Sequence, residues 1–168
     1  ENDVKLLGLA ASFSASALIA QKLRKEAEAA RLVMRELEIA RDVQLRLFPP
    51  HPPRIPGLDI SAYCRPANFV GGDYYDFMYR ADSDLWFTVG DVSGKGISAA
   101  VLMASLQASL RSQLNGRPDS VASVVSELNR ALCSSFDQQR YTTVFCARLD
   151  PINWNLTYVN AGHVQPLL

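Results

Sequence analysis

The stretch VGGDYYDFMYRADSDLWFTVGDVSGKG, residues 70–96, holds two aspartates that each follow a glycine, Asp73 and Asp91. Both fall in segments rich in aromatic and β-branched residues. DYYDFMY (73–79) and LWFTVGDV (85–92) are predicted strands, with RADSD (80–84) as the turn between them. In an antiparallel hairpin centred on Asp82, residues 73 and 91 each lie nine positions from the centre and face one another. Cross-strand Cβ atoms on one face are about 4.5–5.5 Å apart. The same-face neighbours Tyr75, Phe77, Phe87 and Val89 form an apolar surface. Two carboxylates beside such a surface repel each other and lose solvation. A divalent cation would remove both penalties, and the hard cations Mg²⁺ and Mn²⁺ take oxygen ligands. The expectation depends on register, because a slip of one residue sends the two aspartates to opposite faces. The competing reading is a pair of ordinary strand-end aspartates satisfied by turn amides.

Other chemistries fit less well. GDVSGKG (90–96) has glycines and a lysine ahead of a helix, but a phosphate-binding P-loop needs four residues between its glycines and a Ser or Thr after the lysine. Here three residues separate Gly90 from Gly94, and Gly96 follows Lys95. No Ser-His-Asp or Cys-His arrangement for nucleophilic catalysis is recognisable. The two histidines, His51 and His163, are too few for a His-rich metal site. His163 reads either as a general acid or, preferably, as a structural residue of a strand-end turn. The three cysteines, Cys64, Cys133 and Cys146, show no ligand spacing and an odd count, which predicts buried free thiols in a reducing cytoplasm. Seventeen basic and seventeen acidic residues leave no footprint for nucleic acid.

The elements that must position Asp73 and Asp91 divide near residue 48. Residues 3–47 contain no proline and one glycine. Leu6, Leu9, Phe13, Ser16, Ala20, Leu23, Ala27, Ala30, Met34 and Leu37 recur at alternating three- and four-residue steps, the signature of a coiled coil or long amphipathic helix. Beyond Leu37 the stripe moves to Ala40, Val43 and Leu47, a stammer that overwinds the helix. Such a helix either packs on its own domain or, the favoured reading, pairs with a second copy of itself. The apolar run 6–20 is too short and too serine-rich to span a bilayer, so no membrane insertion is expected. The initial Glu suggests a piece cut from a longer protein. FPPHPPRIPG (48–57), with five prolines, ends the helix as a stiff linker. Strands are then predicted at 58–64, 141–150, 155–161 and from 164 onward, and helices at 97–114 and 120–136.

Four segments, ELEIARDVQLRLFPP, PGLDISAYCRPANFVGGDYYDF, GDVSGKGISAAVLMA and YVNAGHVQPLL, resemble in order the motifs of the SpoIIE/RsbU-type branch of the PPM (protein phosphatase 2C-like) serine/threonine phosphatases. The resemblance runs from about residue 36 to 168. It implies an α+β fold, a four-layer α-β-β-α sandwich of two antiparallel sheets, with a two-metal site at one edge and a long helix in front. Asp73 resembles the metal ligand of the GGD motif, Asp91 the aspartate that bridges two Mn²⁺ or Mg²⁺ ions, and Val92 the residue whose backbone carbonyl is a ligand. Gly71, Gly72 and Gly90 would let the backbone approach the site, and Gly94, Lys95 and Gly96 would shape the turn into the next helix. The implied reaction is hydrolysis of phosphoserine or phosphothreonine in a cytoplasmic, phosphorylated anti-anti-sigma (STAS-domain) protein. Residues 1–23 resemble the last helix of a GAF sensor domain, which makes 24–47 a signalling linker and homodimer contact, and 48–168 the first two-thirds of the phosphatase domain. Further metal-binding aspartates of the family lie beyond the AGH strand. Asp137 and Asp150 do not match them, so the chain alone is expected to carry an incomplete site. The contrasting reading is a non-catalytic dimerisation and signalling module.

Overall fold

The computed structural model describes residues 2–66, 68–79, 84–116, 118–135 and 140–167. Four residues of the expected turn (80–83, with its centre Asp82), together with Asp137 and Leu168, lie outside them. The elements are α1 (Asn2–Leu45), β1 (Asp73–Tyr79), β2 (Leu85–Val92), α2 (Ile97–Asn115), α3 (Val121–Ser135), β3 (Thr142–Asp150) and β4 (Asn155–Ala161). The chain forms two compact units, Glu1–Ile39 and Ala40–Leu168.

The first unit is helix α1 as far as Ile39. A run without proline sustains it, and every side chain from Ser12 to Glu36 is exposed, the stripe residues Phe13, Leu23 and Met34 among them.

The second unit is built on an antiparallel sheet in the order β1-β2-β3-β4. Strand alternation gives the sheet two different faces. Tyr74, Trp86, Val144 and Cys146 point to the back face and join Met103, Leu106 and Leu110 of α2 with Val124 and Leu128 of α3 in one core. The buried apolar positions of α2 (Ala99, Met103, Leu106, Leu110, Leu114) and of α3 (Val121, Val124, Leu128, Leu132) recur at three- and four-residue steps, which is one helical face each. The front face carries Asp73, Asp91 and an aromatic row in which Phe87, Phe145 and Tyr158 stack at 6.1 and 5.3 Å. The α+β architecture and the long helix are as expected. Of the two sheets the resemblance implies, the described residues form one.

Three expectations are corrected. Residues 58–64 keep the alternating exposure of a strand, but apart from an isolated bridge between Ile55 and Leu58 they have no ladder partner among the described residues. Residues 164–167 are likewise not a strand. Of the three free thiols only Cys146 is buried; Cys64 is half-buried, and Cys133 is exposed because it falls off the buried face of α3.

Asp76 of β1 points to the back face, 2% exposed, and is fully compensated. Arg111 of α2 donates to both its oxygens (2.7 and 2.9 Å), and the Tyr74 hydroxyl (2.8 Å) and Phe77 N–H (2.8 Å) complete the set. Burial, and then the Asp76 charge, push the Tyr74 hydroxyl far above its ordinary value, so it stays a donor. This cluster fastens α2 to the middle of β1. Arg111→Ala leaves a buried carboxylate without its cation and is expected to cost about 3 kcal/mol, measured as a lower urea midpoint at unchanged slope.

Candidate metal centre

Asp73 opens β1 and Asp91 is the penultimate residue of β2, and the two are Cα partners in the ladder. Val92 N–H donates to the Gly72 carbonyl at 3.3 Å, which makes 72 and 92 a hydrogen-bonded pair. The next pair, Asp73 with Asp91, is then non-hydrogen-bonded, the type in which Cα atoms approach to about 4.5 Å and side chains are closest. Both carboxylates line a cleft of about 480 Å³, with Cys64, Arg65 and His163 also in its wall. Partial desolvation there, then the Asp91 charge and a hydrogen bond shared with it, push the Asp73 carboxyl up; His163 partly offsets this. Burial, and next Asp73, also push the Cys64 thiol up, so it stays protonated and is a poor ligand for a hard ion.

The glycines act in different ways. A Cβ on Gly72 would collide with the Val92 carbonyl oxygen, so only glycine lets β1 and β2 close at this point. Gly90 faces the Thr143 carbonyl, which a Cβ would meet at 3.1 Å. Gly94 (φ 105) and Gly96 (φ 74) hold the left-handed backbone between β2 and α2, with Gly96 as the residue before the helix. Lys95 between them is exposed. Gly71 is held from α1, where Gln44 donates to its carbonyl at 2.7 Å and accepts from its N–H at 3.1 Å.

Two residues of this neighbourhood escaped the sequence reading. Thr143 is the β3 partner of Asp91, and its hydroxyl shares a 2.9 Å hydrogen bond with His163 Nδ1. His163 is in turn fixed by Asn160, which accepts from its N–H at 2.8 Å and donates to its carbonyl at 3.1 Å. Asp73, Asp91, Thr143 and His163 therefore follow one another across the end of the sheet. The other residue is Gln44. At the end of α1 Ala40 is half-buried and Gln44 buried, and Leu47 just beyond the helix is half-buried, while Val43 is 56% exposed. Continuing the three–four stepping from Ala40 would have pointed to Gln44; choosing the apolar Val43 missed it.

The donor set suits a hard divalent cation: two opposed carboxylates beside a backbone carbonyl that Gly72 keeps clear of side-chain bulk. No group of three or more His, Cys, Asp or Glu side chains in metal-binding proximity occurs among the described residues.

The family described as stage II sporulation protein E (SpoIIE) matches residues 81–168. Phosphoserine phosphatase RsbU of Bacillus subtilis (strain 168) is 34% identical over 128 residues, covering 76% of this chain and 38% of that protein. Phosphoserine phosphatase RsbP of the same organism is 30% identical over 137 residues, covering 79% and 34%. The chain thus spans little more than a third of the length of these relatives. Among solved structures, the SiaA-PP2C domain of Pseudomonas aeruginosa superposes with a TM-score of 0.65 at 20% identity, over 80% of this chain and 55% of that one, a likeness of fold. Since the family match takes in more than half of its residues, this chain belongs to the SpoIIE family.

Proposed function

We propose that the chain is part of a metal-dependent phosphatase acting on phosphoserine or phosphothreonine in a protein, with Asp73 and Asp91 in the site for two Mn²⁺ or Mg²⁺ ions. The observation that carries this reading is the direct opposition of the two carboxylates in the wall of an open cleft. When bound, divalent cations supply Lewis acidity for in-line hydrolysis of a phosphate ester. Asp73 and Asp91 hold charge there, and the Val92 carbonyl, buried in this structure beside Gly72, would add a neutral oxygen. Gly71 and Gly90 admit the neighbouring backbone, and Gly94, Lys95 and Gly96 set the exit of β2 into α2. His163, tethered through Nδ1 and its backbone, has the orientation of a structural wall residue.

The substrate in this reading is a phosphorylated STAS-domain anti-anti-sigma protein of a partner-switching pathway, and the enzyme works in the cytoplasm. The phosphoserine phosphatase names of two relatives support the reaction class. Among the described residues no helix is long and apolar enough to cross a membrane. Residues 1–23 serve as the end of a GAF sensor domain, 24–47 as the signalling linker and 48–168 as the start of the phosphatase domain. The exposed apolar stripe of α1, with Phe13, Leu23 and Met34, supports a homodimer through this helix.

Calorimetric titration with Mn²⁺ tests the site. The parent chain is expected to bind and Asp91→Asn to lose at least about tenfold in affinity. Binding by neither would mean that the site needs the family's further aspartates, or that the chain works only as an interaction module.

The acidic pair also sets a pH dependence. The folded Asp73 carboxyl is raised above its ordinary value of 3.8, so its stabilising contribution is full below that value and is lost as pH rises through the folded value. Without metal, Asp91→Asn is therefore expected to stabilise the protein at neutral pH, by under about 1 kcal/mol because both groups are exposed. The gain should vanish in acid, as thermal melts at several pH values would show.

Charged substitutions at Ala27 and Ala30, such as Ala27→Glu with Ala30→Glu, are expected to shift the chain to monomer in analytical ultracentrifugation. An unchanged monomer–dimer balance sinks the homodimer reading.

A further inference from the structure

Residues 57–65 run along the front of the sheet with support at their ends and little between. Leu58, Ile60, Ala62 and Cys64 are half-buried and alternate with exposed neighbours. Among the described residues none of 59–65 hydrogen-bonds to the sheet. An apolar cleft of about 440 Å³ is walled by residues 58–62 together with Phe77, Phe87 and Leu156 of the front face. Residues 61–65 likewise form part of the wall of the cleft that holds Asp73 and Asp91. At the end nearer Asp73, Pro66 packs on Gly71, where a Cβ would meet the Pro66 Cβ at 3.4 Å.

The far end is held by Trp154, in the turn between β3 and β4. Its ring takes the space that Gly57 leaves free, since a Cβ on Gly57 would meet Trp154 Cζ2 at 3.0 Å. Gly57 has a φ of 83, a left-handed backbone that suits glycine. Trp154 has a φ of 54, and among the described residues no other residue besides glycine has a positive φ. A bulky side chain is strained there, and such strain persists only where the surroundings over-determine it. Asp150 does so: it accepts from the N–H groups of Ile152 and Asn153 at 2.8 and 3.2 Å and from Asn153 Nδ2 at 2.7 Å. The turn thus keeps a half-exposed indole against the backbone at Gly57. We propose that residues 57–65 form a strap over the cleft of the acidic pair, with Trp154 as its latch. Releasing the latch lifts one wall of the cleft and lays Asp73 and Asp91 open. The strap governs access to the pair, and stands whether or not the pair binds metal.

The test is alkylation of the 168-residue chain by iodoacetamide, a neutral reagent, read at each cysteine by peptide mass spectrometry. Cys64 lies on the strap, the buried Cys146 reports opening of the whole sheet, and the exposed Cys133 is the control for the reagent. In Trp154→Gly, glycine accepts the backbone of the turn, so the ring is lost and the turn is kept. Cys64 is expected to react about tenfold faster in this variant, because labelling of a covered thiol follows the open fraction. Rates at Cys133 and Cys146 and the melting temperature should stay nearly unchanged. Gly57→Ala, whose methyl group displaces the ring, is expected to act in the same direction. An unchanged Cys64 rate in folded Trp154→Gly overturns the proposal. So does a matching acceleration at Cys146, which is general destabilisation. Should Trp154→Gly not fold, the parent chain and Gly57→Ala are labelled in rising urea. Exposure of Cys64 before Cys146, and earlier still in Gly57→Ala, supports the latched strap; any other order refutes it.

Discussion

Like charges brought together need something else to hold them there. At the end of this sheet the antiparallel ladder does so, because the hydrogen bond between Val92 and Gly72 closes the strands one step beyond Asp73 and Asp91. The repulsion is small because both carboxylates are exposed to water. Gly72 is the residue on which this geometry turns, since any Cβ would be driven into the Val92 carbonyl.

Strand β1 shows the contrast within seven residues. Asp73 and Asp76 have the same side chain but point to opposite faces. Asp76 is buried with four hydrogen bonds, two of them from a bidentate arginine, and its work is to join strand to helix. Asp73 is exposed, raised in pKa and matched against a second carboxylate. An acidic group with every lone pair satisfied is structural. One left in excess beside another, in a cleft, is available to a ligand. The back face thus holds the frame still while the front face carries the unbalanced charge.

The supports of that charge come from distant parts of the chain. Gln44 reaches Gly71 across 27 positions, and Thr143 and His163 extend the row from β3 and the turn after β4. The last turn of α1 belongs with the sheet unit, so the same helix that exposes an apolar stripe over much of its length ends against the loop that delivers Asp73.

Local patterns in the chain were enough to read β1, β2 and β4 to the residue, the two helices behind the sheet, and the Asp73–Asp91 register. A hairpin is a short-range object whose symmetry about its turn follows from counting, and alternation distinguishes its faces. The same alternation misled at residues 58–64, where the pattern is present and a ladder partner is not, because a strand is completed by hydrogen bonds that another segment must supply. The partners of Gln44 and Thr143 were illegible for a related reason. Nothing in the residues around them specifies that one grips Gly71 and the other continues the row from Asp91. The sequence by itself determined which carboxylates oppose each other; only the tertiary structure decided what holds them, since those contacts join segments tens of residues apart and exist only once the sheet and helices have packed.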